Sequence, residues 1–204
     1  MTQPLRQPLA LAAYALTALL LAAYALVMWW TIHPNVPDSY RAYYIDQTTT
    51  CMNQPVPGTY ALGTVVSFLP DGAAAAKPLK PCGWEGPVGD GTHAVGTSSR
   101  LRFSWTEPAT GPLALSLDLI AIKKDDAPVP QTVDVVVNDQ KLATLDVAGP
   151  DPQHFDVKLP ADLVAQGRAD VILEFPTAVR MGPTDPPTRW RSIKLIAAGL
   201  VPAV

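Results

Sequence analysis

The chain is poor in charge and in cysteine. Only 16% of its 204 residues are charged, against roughly 25% in an ordinary soluble domain. Two cysteines exclude a zinc ribbon and a disulfide-dense scaffold. The balance is mildly acidic, net −3, and Lys and Arg are scattered, so there is no basic footprint for nucleic acid. No Gly-x-Ser-x-Gly elbow is present, since Gly96-Thr97-Ser98-Ser99-Arg100 breaks the pattern at its last position. No phosphate-cradling Gly-Lys-Ser/Thr loop occurs. His33, His93 and His154 are far apart, and none has a ligand partner at helical spacing, so no metal and no cofactor are expected. With neither a nucleophile–base pair nor a metal cluster, no enzyme is expected either.

What the chain does have is one long apolar run. Leu9 to Ile32 carry no charged side chain. As a helix, Leu9–Trp30 would span about 33 Å at 1.5 Å per residue, enough for a hydrocarbon core of about 30 Å. Trp29 and Trp30 close it, where an indole buries its ring and keeps its N–H wet. Arg6 precedes the run, and all 18 acidic residues follow it. This asymmetry places the N-terminus in the cytoplasm and makes the remainder net negative. A cleavable signal with Ala23-Tyr24-Ala25 as its small-x-small site is the competing reading. Leu26 to Trp30 continue the apolar run past that site, which favours an uncleaved anchor. Ala15, Ala18, Ala22 and Ala25 recur on one helical face, and small residues let helices approach closely in lipid. Docking on another integral membrane protein is the functional reading of that stripe; the ordinary abundance of Ala in such helices is the other.

The expected organisation is therefore a cytoplasmic N-terminus (1–8), a transmembrane signal-anchor (9–32), a linker and lead-in (33–58), and an exported domain (59–204) on a bacterial inner membrane. In an oxidising compartment Cys51 and Cys82 read as a disulfide. It would close about 30 residues and contribute roughly 3–4 kcal/mol. Two free thiols or a metal pair would lack supporting neighbours.

Beyond Ser98 the apolar residues alternate. Leu101, Phe103 and Trp105 form one series, Leu113 to Leu119 a second, and Val133 to Val137 a third. Phe155 to Leu159, Val171 to Phe175, and Ile193 with Leu195 continue the pattern. Each series is a strand with one buried face. Tyr60–Phe68 and Leu142–Val147 are weaker strand candidates. Asn138-Asp139 and Lys123-Lys124-Asp125-Asp126 read as turns, and Ala161–Gln166 as a short helix stopped by Gly167. About eight short strands joined by polar turns predict an all-β, jelly-roll-like antiparallel sandwich.

The candidate ligand residues are Trp84, Glu85, Asp90, Arg189 and Trp190. Gly83–Gly96 reads as a loop framing Trp84. An exposed indole there would stack on the C–H face of a sugar, with Glu85 or Asp90 accepting hydroxyl protons. The alternative is that Trp84 plugs one end of the sandwich. Trp105, in register with Leu101 and Phe103, points inward. Arg189-Trp190-Arg191 is a second polar-aromatic cluster, suited to a glycan, a lipid headgroup or a partner, or to an Arg–Asp185 pair that pins a loop.

Gly83-Trp84, Pro87, Gly91 and Gly96, followed by a strand, are the first part of a longer pattern. Val137-Asn138-Asp139, Pro160-Ala161-Asp162-Leu163, Asp185, Arg189 and Arg191-Ser192-Ile193-Lys194-Leu195 complete it. Over about Tyr60 to Ile196 the order resembles a β-sandwich module of bacterial cell-surface polysaccharide glycosyltransferases. Val88 stands where that family has Glu, and His93 where it has Trp, so any sugar contact made through those two does not carry over. The connection before Arg189 is also shorter. The resemblance implies a non-catalytic module that accompanies a membrane catalytic part absent from this chain. The expected function is an accessory subunit of a membrane complex, one for surface polysaccharide or glycolipid assembly. A tethered glycan-binding module and a structural subunit of an energy-transducing or transport complex are the alternatives.

Overall fold

A computed structural model describes residues 6–36, 40, 59–107, 109, 111–165 and 167–203. The chain divides into two units, Met1–Tyr40 and Arg41–Val204. The first contains α1 (Arg6–Ile32), built from Ala and Leu, which pack a helix at little entropic cost. Its segment Ala10–Ile32 is long and apolar enough to cross a membrane. Its threonine hydroxyls are satisfied within the helix: Thr17 Oγ1 donates to Ala13 O at 2.9 Å and Thr31 Oγ1 to Met28 O at 2.8 Å. The His33 N–H makes the last helical bond, to Trp29 O, and its ring stacks on the Trp29 indole at 3.9 Å. Pro34 then ends the helix, having no N–H to continue it. Ala15, Ala18, Ala22 and Ala25 are all exposed within this unit.

The second unit is the expected antiparallel sandwich. Its strands are β1 (Val65–Ser67), β2 (Trp84–Val88), β3 (Gly91–Ala94), β4 (Ser98–Ser104), β5 (Leu113–Ala121), β6 (Lys123–Lys124), β7 (Ala127–Pro128), β8 (Gln131–Val137), β9 (Gln140–Val147), β10 (Gln153–Leu159), β11 (Arg168–Glu174) and β12 (Ile193–Pro202). One sheet runs β10-β5-β12-β3-β2, with β1 paired to the second half of β12. The other runs β4-β11-β8-β9. Strands distant in sequence lie side by side in both sheets, the jelly-roll-like arrangement.

The period-two series supply the core. Leu115, Leu117, Leu119, Ile193 and Leu195 of the first sheet face Leu101, Phe103, Val133, Val135, Val171 and Leu173 of the second, all buried. Trp105 is buried too, as its alternation required. The turns behave as read. Asn138 and Asp139 take φ of 46° and 67°, and Asp125 and Asp126 take 52° and 63°. These are the left-handed pairs that close two-residue hairpins. Asn138 also ties its turn to β11 by accepting the Asp170 N–H at 2.9 Å. Ala161–Val164 is the short helix.

Two expectations change. Gly83–Gly96 is not a loop but a hairpin, β2–β3, antiparallel at one end of the larger sheet. Its glycines are structural. Gly83 (φ +77°) lies so close to β4 that a Cβ would meet Ser99 Cα at 2.6 Å, and Gly91 (φ +138°) lies against Leu195 O. From Tyr60–Phe68, only Val65–Ser67 pairs as a strand. Tyr60 instead serves as a cross-link: its hydroxyl accepts the Leu200 N–H at 2.8 Å and donates to Thr64 O. Burial holds that phenol above its ordinary pKa. Cys51 lies outside the described residues, and with it the Cys51–Cys82 pairing and most of the lead-in 33–58. Cys82 itself pairs its backbone with Arg100 of β4.

Candidate functional site

The direction of each side chain follows from strand register. On β2, Trp84 stands opposite Ala94, so its indole shares the inward side of the sheet with that buried residue. The ring lies 6.4 Å from Phe68, and Nε1 donates to Arg100 O at 2.6 Å. Trp190 is likewise half-buried against the core, and its Nε1 donates to Asp185 O at 3.2 Å. Both indoles are thus committed to packing, and the plug reading of Trp84 is the one that fits. Asp185 uses Oδ2 to take the Gly182 N–H at 2.7 Å, which fixes its loop through the backbone. Arg189 lies in the 3-10 turn Pro187–Arg189, where its carbonyl accepts from Arg191 Nη1 at 2.9 Å.

Glu85 and Asp90 end up elsewhere, with residues the sequence reading did not select. His93 on β3, Lys194 on β12 and Ile120 on β5 are direct register partners, so they form one row on the outer face of the larger sheet. Around this row is a cleft of about 200 Å³ lined by Asp90, Ile122, Lys123, Pro150, Met181 and Arg191 as well. Two of its cations are held in ion pairs. Arg191 Nη2 bonds Glu85 Oε1. Lys194 Nζ bonds Asp90 Oδ2 at 2.5 Å. The cations are recessed, with side chains 18% and 17% exposed, while Glu85 is 34% and Asp90 60% exposed. Lys194 holds the Asp90 carboxyl below the usual carboxylate range, mainly by their hydrogen bond.

His93 sits between these pairs. Its Nδ1 is buried without a hydrogen-bond partner. Burial pushes its pKa down, and Lys194 and Arg191 push the same way, opposed by Glu85 and Asp90. With its pKa held below the ordinary imidazole value, the ring is uncharged at neutral pH and its Nδ1 is covered. Asp90 of this site is among the sequence candidates, whereas His93 and Lys194 are signalled by their outward parity, readable once the β2–β3 hairpin is known.

The outer face carries a second histidine. His154 of β10 places Nδ1 2.7 Å from Asp118 of β5 and Nε2 3.3 Å from Asp156. These carboxylates, Asp118 first, raise its pKa. Among the described residues, no three His, Cys, Asp or Glu side chains are placed to hold a metal ion.

No protein-family model matches the chain, and no curated protein does. Among solved structures, a carbohydrate-binding module CBM36 in complex with calcium and xylotriose is 14% identical, covering 58% of this chain and 86% of its own, at a TM-score of 0.37. A family 35 carbohydrate-binding module from an environmental isolate is 17% identical, covering 76% of this chain and 96% of its own, at 0.34. CsCBM6-3 from Clostridium stercorarium in complex with cellobiose is 11% identical, covering 72% of this chain and 99% of its own, at 0.37. At TM-scores below 0.5 these likenesses carry no inference about ligand or site.

Proposed function

We propose that the chain is a membrane-tethered, non-catalytic glycan-binding module whose ligand site is the cleft around His93. The observation that carries this reading is the make-up of the cleft. Three cations (Lys123, Arg191 and Lys194), the Asp90 carboxylate and the His93 imidazole share a small recess that has an apolar wall of Ile120, Ile122, Pro150 and Met181. A sugar hydroxyl both donates and accepts, so it suits such a mixture of donors and an acceptor, while the C–H face of the ring suits the wall. The volume, about 200 Å³, falls below the roughly 300–1,000 Å³ that encloses a drug-sized ligand, so the cleft suits one sugar ring.

In this reading Trp84 and Trp190 support the site and do not stack on the ligand. Helix α1 is the tether, with its N-terminus cytoplasmic and the sandwich on the exported side of a bacterial inner membrane, where Cys51 pairs with Cys82. Titration of the detergent-solubilised full chain with a panel of neutral and acidic saccharides tests the proposal by calorimetry. Saturable binding that is lost in Arg191→Ala supports it; no binding anywhere in the panel overturns it.

A second role is compatible with the first, and the exposed Ala face of α1 favours it. As an accessory subunit, the chain would dock that face on another integral membrane protein of a surface-polysaccharide or glycolipid assembly complex. A stoichiometric membrane partner that is retained in mild detergent and released by Ala18→Leu with Ala22→Leu is the expected result.

A further inference from the structure

The carboxylates and the cations of the two ion pairs are not equally covered. Lys194 and Arg191 are largely covered, whereas Asp90 stands at the mouth, mostly in water. Lys123 also lines the recess, so cations outnumber carboxylates there. Asp90 occupies the turn between β2 and β3, with Gly89 before it and Gly91 after it. Open space surrounds Gly89, and Gly91 takes a φ of +138°. Such a turn can swing its carboxylate outward, where Asp90 is hydrated again, provided that an incoming anion keeps the covered Lys194 ammonium paired.

We infer that the cleft takes its glycan by an anionic substituent, a carboxylate or phosphoryl group, which seats on the recessed Lys194 beside Arg191 in place of Asp90. Asp90 is then a built-in competitor that fills the anion seat until a ligand arrives. The inference rests on the glycan reading above and narrows it to acidic or phosphorylated sugars. A neutral sugar has to share Lys194 with Asp90, and a hydroxyl is a poor replacement for a carboxylate on a covered ammonium. An anion replaces like with like and forms the same charge-assisted bond. The exchange takes place beside His93, whose charged neighbours are Lys194 on β12, Arg191 just before it, Glu85 on β2 and Asp90 on the turn, so it alters the surroundings of that imidazole while keeping the charge on Lys194 balanced.

A matched pair of ligands, methyl galactoside and methyl galacturonoside, differs only in the C6 carboxylate. Both are titrated into the detergent-solubilised full chain, wild type and Asp90→Asn, with inorganic phosphate as a third arm. The galacturonoside is expected to bind on the order of tenfold more tightly than the galactoside. If the outward state of Asp90 is about one tenth populated, Asp90→Asn tightens the galacturonoside by roughly another tenfold. Competition by phosphate at equal strength assigns the seat to phosphorylated ligands as well; weak competition assigns it to uronates. In the wild type, NMR is expected to show the His93 imidazole and Asp90 carboxyl signals shifting together with the galacturonoside and the Asp90 signal staying fixed with the galactoside, a readout that needs no variant. Equal affinity for the two glycosides overturns this inference and leaves the glycan reading standing, as does an Asp90→Asn chain that binds the galacturonoside no better. Failure of both glycosides and of phosphate to bind either chain overturns both.

Discussion

His93 and His154 stand on the same face of the same sheet, with β12 and β5 between their strands, and their surroundings are opposite in sign. His93 is half-buried beside Lys194 and Arg191, and its pKa is lowered first by burial and then by the cations. His154 is exposed between Asp118 and Asp156, and its pKa is raised. One residue type thus becomes an uncharged group in a recess and a charge-holding clasp on an exposed surface. The difference lies in depth and in the partner strand, not in the histidine. It marks the first as a place for a ligand and the second as a strap between β10 and β5.

The largest way to break this contrast is Lys194→Ala. Without the ammonium, the anion seat loses its charge and His93 loses the cation that lowers its pKa most. Saccharide affinity is expected to fall by tenfold or more, about 1.4 kcal/mol, and the His93 pKa to rise. Calorimetry and a histidine NMR titration read the two effects. Unchanged affinity would remove the cleft from consideration. Trp84→Phe sharpens the contrast from outside it. The phenyl ring keeps most of the packing but leaves Arg100 O without its indole donor, at a cost of about 1 kcal/mol. Thermal denaturation is expected to show Tm lower by about 2–4 °C, with saccharide affinity unaltered. An affinity loss without a stability loss would return Trp84 to the role of sugar platform.

The smallest effects separate the histidines by pH. His154 has a raised folded pKa, so its contribution is fully present below the unfolded value of about 6.5 and is lost as pH rises through the folded one. His93 has a lowered folded pKa, so it costs stability as pH falls from about 6.5 toward that value. His154→Asn should therefore flatten the stability profile above pH 6.5, and His93→Gln below it. Each change is within about 2 °C in Tm. Changes in the same window for both variants would contradict the assigned environments.

Much of the sandwich was legible in the sequence because one-sided burial writes itself as alternation. Leu113 to Leu119 and Val133 to Val137 show it, and the Asn138-Asp139 turn follows from residues that tolerate positive φ. The β2–β3 hairpin was not legible. Trp-Glu-Gly-Pro-Val has little strand propensity and carries a register shift between Trp84 and Pro87, so its pattern resembles a loop. That single gap hid the site. Glu85 and Asp90 were selected as carboxylates beside an exposed Trp84, whereas the indole turns inward and the carboxylates pair with Arg191 and Lys194. Ile120, His93 and Lys194 converge by strand register across three elements, and no local spacing in the chain records that convergence.

Side-chain NMR of the full chain, with histidine imidazole and tryptophan indole signals followed during saturation with methyl galacturonoside, tests the central claim most directly. The account requires the His93 signals to move and those of His154 and the Trp84 indole to stay in place. A ligand that shifts the Trp84 indole while His93 stays fixed would contradict it.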